Sequence, residues 1–430
     1  MECAAPAVGD DDGDAGSFAA LGLSAGVVRA LDSAGITSPF PIQARTIRHA
    51  MAGRDICGKA PTGSGKTLAF GLPLIELTAR SRPRKPGALV LVPTRELAAQ
   101  VARTLAPIAR TRGLRVAAIF GGVSVRRHSV ELQRGVDIVV ATPGRLNDLL
   151  DRGDLDLGDV RVAVLDEADQ MADMGFLPQV EHILRQVPGP FQVLLFSATL
   201  DGDVDRLIRR YQHDPVSVEV ETDAEQEAAR SFRFVAVEDS EKAQVAAAIV
   251  SGPGRSLLFV RTQRAADRLG RQLDQLGVRA GVLHGGISQP GRERVLRDFA
   301  AGSRPVVVAT NVAARGLHVD GVDTVVHYDP PDDDKAFVHR SGRTARAGAS
   351  GLVVTLVLWH QVRDVDALRA RAGLREAIVG MDSSDPRLRD LAAWEPPLDA
   401  EAPTPAPAPE VTHQRRSWAP GRPRRSFARR

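Results

Sequence analysis

From about Phe18 onward, short apolar runs alternate with longer amphipathic stretches. Runs this short read as strands, and when helix-length segments separate them the strands must lie mostly parallel, so the pattern predicts an α/β architecture. Candidate strands fall at 55–59, 88–92, 115–120, 136–141, 160–165, 192–197 and 216–220, with helical segments such as 94–110 and 145–152 closed by Gly113 and Gly153. Residues 221–230, beginning Glu221-Thr222-Asp223, are charged and lack an apolar face, which suits an exposed linker. A second series follows, with strands at 232–237, 256–260, 279–283, 305–309, 323–327 and 352–357 and helical stretches at 241–251, 263–276, 290–301 and 361–371. Neither series contains a 20–50-residue repeat.

The expected organisation is therefore a disordered segment over 1–17, a first α/β domain over 18–220, a linker over 221–230 and a second α/β domain over 231–380. A tail over 381–430 follows, Pro/Ala-rich and then Arg-rich, which reads as disordered. A length of 430 residues, with 43% hydrophobic and 25% charged residues, agrees with a globular chain of two or three domains. Two cysteines, Cys3 and Cys57, are too few for a disulfide framework or a four-ligand zinc site. No apolar run reaches about 18 residues, and Asp10-Asp11-Asp12 is unlike the basic start of a signal peptide, so a cytoplasmic chain with no membrane partner is expected.

The net charge of +3 is unevenly placed: residues 411–430 hold seven arginines and no acid, leaving −4 on residues 1–410. Only five of the 56 basic residues are lysine, so arginine abundance by itself says little about phosphate binding. The tail arginines, interleaved with Trp418 and Phe427, suit either a salt-dependent RNA anchor or a solubilising segment.

Just beyond the first candidate strand stands Ala60-Pro61-Thr62-Gly63-Ser64-Gly65-Lys66-Thr67. The phosphate-loop pattern G-x-x-x-x-G-K-[ST] is missed at its first glycine, where Ala60 stands, but the physical parts remain. Small residues at Thr62, Gly63, Ser64 and Gly65 free backbone N–H groups at a helix start, Lys66 can reach the β- and γ-phosphates, and the Thr67 hydroxyl suits Mg²⁺. Read alone, the segment is also a glycine turn before a helix. Asp166-Glu167-Ala168-Asp169 follows the apolar run Val162-Ala163-Val164-Leu165, placing carboxylates at a strand's C-terminal end, where open α/β sheets bind ligands. Asp166 suits a metal, and Glu167 suits orienting or deprotonating an attacking water; an acidic helix start is the structural alternative. Both motifs in one expected domain favour nucleotide hydrolysis.

Together these motifs make the chain resemble a DEAD-box RNA helicase over about residues 18–350. Gly35-Ile36-Thr37-Ser38-Pro39-Phe40-Pro41-Ile42-Gln43 is similar to the family's adenine-reading segment, and Phe18 matches its separate upstream aromatic. Ala60 is the family's usual first phosphate-loop residue. The resemblance implies two tandem RecA-like domains with ATP and Mg²⁺ in the cleft. Gln43 would then read the adenine edge, and Ile36, where the family is often aromatic, would pack against the base without ring stacking. Ser197-Ala198-Thr199, with Asp169, resembles the part that couples hydrolysis to strand separation.

Pro93-Thr94-Arg95-Glu96-Leu97-Ala98, Gly121-Gly122 and Thr142-Pro143-Gly144-Arg145 each follow a candidate strand and offer hydroxyl, backbone or basic donors for phosphate oxygens. Each alone is equally a helix cap or turn. In the family they line an RNA backbone, and Arg261, Thr262, Gln289, Arg292 and Thr310 resemble the second domain's share of that path. His339-Arg340-Ser341-Gly342-Arg343-Thr344-Ala345-Arg346 reads either as a solvated basic helix or as a cluster reaching the γ-phosphate. The resemblance makes Arg343 and Arg346 the arginine fingers and gives His339 a coupling role. Two departures stand out: Asn311 and His318 occupy places where the family usually has aspartate, and His318 is the one expected beside the ribose. Ser341 and Ala345 also differ from the commonest residues. The activity implied is ATP-dependent separation of short RNA duplexes or remodelling of RNA–protein complexes. An ATP-gated RNA clamp with slow hydrolysis and a DNA translocase are the alternatives, the latter matching the motif set less closely.

Overall fold

The computed structural model describes residues 16–61, 63–220, 229–311, 321–345 and 349–398. Seven strands form the first sheet: β1 (Ile56–Lys59), β2 (Ala88–Leu91), β3 (Val116–Ile119), β4 (Ile138–Ala141), β5 (Val162–Asp166), β6 (Gln192–Ser197) and β7 (Val216–Glu219). The second sheet is built from β8 (Arg230–Val237), β9 (Ser256–Val260), β10 (Ala280–Leu283), β11 (Val306–Thr310), β12 (Thr324–His327), β13 (Gly351–Leu358) and β14 (Ile378–Gly380). Their spatial orders are β3-β4-β2-β5-β6-β1-β7 and β10-β11-β9-β12-β13-β8-β14. Raising each strand number of the first sheet by seven reproduces the second, so the two units share one topology. Every ladder is parallel.

A parallel sheet needs crossover helices on both faces, and its central strands are then buried throughout. Strands β2, β4, β5, β9 and β11 are indeed buried at every residue. Hydrophobic clusters fill both faces: Ile56, Phe70, Val90 and Phe196 on one side of the first sheet, Cys57, Leu89, Leu146 and Leu195 on the other. Burial pushes the Cys57 thiol up to about 11, which leaves it an inert core residue.

Three expectations are corrected. Strand β8 begins at Arg230, inside the expected linker, because it pairs with β13 along eight residues from Arg230↔Gly351 to Val237↔Leu358. Strand β14 has no counterpart among the expected strands; its three residues pair with Phe234, Val235 and Ala236 at a sheet edge and are too few to show a period. Disorder from 381 does not hold as far as residue 398. A 3₁₀ turn at Pro386–Asp390 buries Leu388, Leu391 is buried beside it, and Arg233 donates from Nε to Leu391 O (2.8 Å). Two guanidinium groups approach the Trp394 ring, Arg387 at 5.3 Å and Arg233 at 5.9 Å from its centroid. The expected disorder of 1–17 and of the Arg-rich tail, and the linker's residues 221–228, concern positions outside the described residues apart from Gly16 and Ser17.

Candidate functional site

The strand order sorts the motifs into two groups at the C-terminal edge of the first sheet. β5, β6 and β1 are neighbours, so Asp166-Glu167, Ser197-Ala198 and the phosphate loop meet. β3, β4 and β2 are neighbours, so Gly121-Gly122, Thr142-Pro143-Gly144-Arg145 and Pro93-Thr94-Arg95 meet on the other half.

In the phosphate loop, Ala60 N donates to Ser197 O (3.0 Å), tying the loop to β6, and Ser64 Oγ donates to Pro61 O (2.8 Å). Gly65 starts the helix Lys66–Leu77 with φ +88°, a left-handed conformation that suits glycine. A Cβ at Gly65 would also lie 2.5 Å from Gln43 Nε2 and 2.6 Å from Phe40 Cδ2. Lys66 is buried and donates from Nζ to Ala60 O (2.9 Å). Gln43 is buried too; its Nε2 donates to Gly65 O (2.9 Å) and its Oε1 accepts from Phe40 N (2.9 Å). The adenine-reading candidate is thus oriented by the loop it would serve. Thr67 follows Lys66 in the helix's first turn, Gly63 has φ +94°, and Thr62 lies outside the described residues. Ile36 packs, half-buried, against the first domain's core.

Asp166 ends β5 buried, and burial pushes its carboxyl up to about 7, with Lys66 opposing and Glu167 reinforcing the rise. Glu167 has φ +53°, an uncommon left-handed conformation for a non-glycine residue, and its Oε2 is buried with no protein hydrogen-bond partner. Asp169 N donates to Ser197 Oγ (3.1 Å), and Asp169 Oδ2 accepts from Ala198 N (3.2 Å). His339 Nε2, from the second unit, stands 3.8 Å from the same Asp169 Oδ2. Thr199 follows at the half-buried edge.

Several expected RNA residues also make local hydrogen bonds. The hydroxyls of Thr94 and Thr262 cap their helices, accepting from Leu97 N (3.3 Å) and Ala265 N (3.1 Å). Arg145 donates to Val123 O (2.8 Å) and meets His128 Nδ1 at 3.1 Å. Arg95 is exposed and its guanidinium covers Gly122, where φ is +83° and an added Cβ would lie 2.2 Å from Nη1. Pro93, Thr142 and Pro143 are buried at the bases of these turns. Arg261 is exposed, pairing with Asp332 (2.8 Å), and Thr310 ends β11 buried.

Arg292, expected on the RNA path, makes a contact between the two units. It is buried, and its Nε meets Glu96 Oε1 at 2.6 Å across 196 residues of sequence, joining the two units. No sequence signal pairs these residues; only the cleft does. Gln289, one turn earlier, is buried and reaches Glu293 (3.4 Å). Lys335 and Asp201 form a further, exposed cross-unit pair at 3.2 Å.

The helix Asp334–Ser341 delivers the basic cluster. Arg343 is buried just past its end, whereas Arg340 serves structure: it donates to Asp329 O (2.8 Å), lies 5.2 Å over the Phe259 ring, and burial brings its guanidinium down to about 10. Asn311 has a buried Oδ1 with no hydrogen-bond partner. His318 and Arg346 lie outside the described residues.

A phosphate loop, a strand-end Asp-Glu pair and a histidine that reaches Asp169 from a second domain of the same sheet topology define a nucleotide-hydrolase class with tandem RecA-like domains. Family models agree: the DEAD/DEAH box helicase model matches residues 40–207 and the helicase conserved C-terminal domain model matches 240–348. The chain belongs to the DEAD-box ATP-dependent RNA helicases. It is 40% identical to the ATP-dependent RNA helicase CshA of Listeria monocytogenes over 82% of this chain and 67% of that protein. It is also 40% identical to the mitochondrial DEAD-box ATP-dependent RNA helicase 9 of Arabidopsis thaliana over 84% of this chain, but spans only 61% of that relative's length. Among solved structures, S. cerevisiae Dbp5 bound to RNA and ADP BeF3 matches with a TM-score of 0.74 at 27% identity, covering 86% of this chain and 97% of that one. No helix of the described residues is long and apolar enough to cross a membrane.

Proposed function

We propose that this chain is an RNA-stimulated ATPase that uses closure of its two domains to separate short RNA duplexes or remodel RNA–protein complexes. The observation that carries the reading is the Asp169 junction, where the backbone N–H donates to Ser197 Oγ and the carboxylate both accepts from Ala198 N in the first domain and stands 3.8 Å from His339 Nε2 of the second. Hydrolysis chemistry beside Glu167 and domain closure thereby share one side chain.

In the proposed reaction, Glu167 Oε2 orients the attacking water and takes its proton while the water oxygen bonds to the γ-phosphorus and the bond to the β–γ bridging oxygen breaks. Lys66 holds the phosphates, and Arg343 with Arg346 offsets the charge that develops on them. The partnerless Glu167 Oε2 and the enclosed Asp166 carboxylate fit a site completed by water and a divalent cation. Mg²⁺ would be held by Asp166 and Thr67 and, when bound, would neutralise phosphate charge. Sequence-independent RNA contacts are assigned to Arg95, Gly122, Thr142 and Arg145 in the first domain and to Arg261, Thr262, Gln289 and Thr310 in the second. Arg292 is reassigned to holding the domains together, and His318 stays the candidate at the ribose. The cytoplasm is the proposed compartment, which imaging of a tagged chain would decide.

A steady-state ATPase assay with and without RNA tests the proposal. Turnover should rise with RNA in the wild type, and Glu167→Gln should abolish it while retaining ATP and RNA binding. Equal turnover in the two proteins would refute the assignment.

A further inference from the structure

We infer that Phe40 is the aromatic wall of the base pocket, the residue on which the purine of the bound nucleotide stacks. This deepens the ATP-site reading proposed above and rests on it. Ile36, the position expected to touch the base, is half-buried against the first domain's core and offers a branched aliphatic face. Phe40 is different. Its side chain is 53% exposed, and among the described residues it is the only aromatic in the set of exposed large hydrophobic side chains.

An exposed phenyl ring forgoes the burial that ordinarily stabilises it, which makes its location informative. The ring stands at the phosphate loop, with Cδ2 2.6 Å from where a Gly65 Cβ would be, and so lies against the backbone at the start of the helix Lys66–Leu77. Its backbone is also held, because Phe40 N donates to Gln43 Oε1 while Gln43 Nε2 donates to Gly65 O, both at 2.9 Å. The ring, the Gln43 amide and the phosphate loop therefore form one unit. Gln43 retains a second N–H and a second lone pair for a base edge. A flat π-face beside an amide edge and a phosphate cradle matches the three parts of a purine nucleoside triphosphate. Gly65 makes the approach possible, since any side chain there would displace both the ring and the amide.

Stacking a base on an aromatic ring is worth about one to two decades of affinity by alanine substitution. The test is calorimetric titration of the full-length chain with ATP and, separately, with inorganic tripolyphosphate, which has the phosphates and no base. Phe40→Ala should weaken ATP binding about tenfold and leave tripolyphosphate binding unchanged, and Phe40→Tyr should restore ATP affinity. Ile36→Ala should change ATP affinity less than Phe40→Ala does. Equal loss for both ligands would mean that Phe40 only shapes the loop and would overturn the inference, as would unchanged ATP affinity in Phe40→Ala. Failure of the wild type to bind ATP would instead overturn the nucleotide reading of the site, and the inference with it.

Discussion

The Glu96–Arg292 pair makes domain closure measurable through a single charge. Both side chains are about 90% enclosed (10% and 8% exposed), and the Nε–Oε1 distance is 2.6 Å. With charge centres roughly 4 Å apart and an effective dielectric of about 20, the attraction is ~4 kcal/mol. Removing one partner of a buried pair costs about 3–5 kcal/mol, because the remaining charge is left desolvated. Glu96→Gln leaves Arg292 in that position only while the domains are together; on opening, the guanidinium regains water. The penalty therefore falls on the closed state, and ~3 kcal/mol amounts to roughly a 150-fold shift toward the open one. Energy transfer between dyes on the two domains, with RNA and a non-hydrolysable ATP analogue present, reads the closed fraction. Glu96→Gln should lower it sharply while leaving each domain's thermal unfolding unchanged, and the swap of Glu96→Arg with Arg292→Glu should recover part of it. A closed fraction in Glu96→Gln equal to the wild type's would show that the pair contributes nothing to closure.

Leu388→Ala should destabilise the second domain by about 2–4 kcal/mol, since Leu388 is fully packed in the segment expected to be disordered; thermal unfolding with no loss would return that segment to a loose tail. His128 is held down to about 4, first by burial and then by Arg145 and Arg127, with the Phe120 ring at 6.1 Å. Below about pH 6.5 the unfolded chain binds a proton that the folded imidazole refuses, so this contribution is present above pH 6.5 and is lost as pH falls toward 4. Denaturant melts from pH 4 to 7 should show a shallower acid loss in His128→Gln, and parallel profiles would refute it. Truncation after residue 410 removes seven arginines and should weaken RNA affinity at low salt and flatten its salt dependence, with RNA-saturated ATPase nearly unchanged; an unaltered slope would make the segment merely solubilising.

The sequence by itself determined the features that repeat within a few residues. Short, β-branched apolar runs such as Val306-Val307-Val308 suit strands covered on both faces, and their alternation with helix-length segments led to two parallel-sheet domains. The phosphate loop and the Asp166-Glu167 pair were legible for the same reason, since each completes its chemistry within one turn of chain. Tertiary structure decided whatever depends on partners remote in sequence. Glu96 looked like one more residue of a helix start until Arg292, 196 residues away, closed on it. Phe40 was one residue of a longer motif until Gly65 brought the phosphate loop against its ring. Strand β14 and the turn at Pro386–Asp390 carry too few apolar residues to signal themselves, and they are ordered by a sheet edge and by Arg233 on a strand more than 140 residues earlier. Local pattern specifies which elements form; burial of charge and ring between elements depends on distances that exist only once the sheets are assembled.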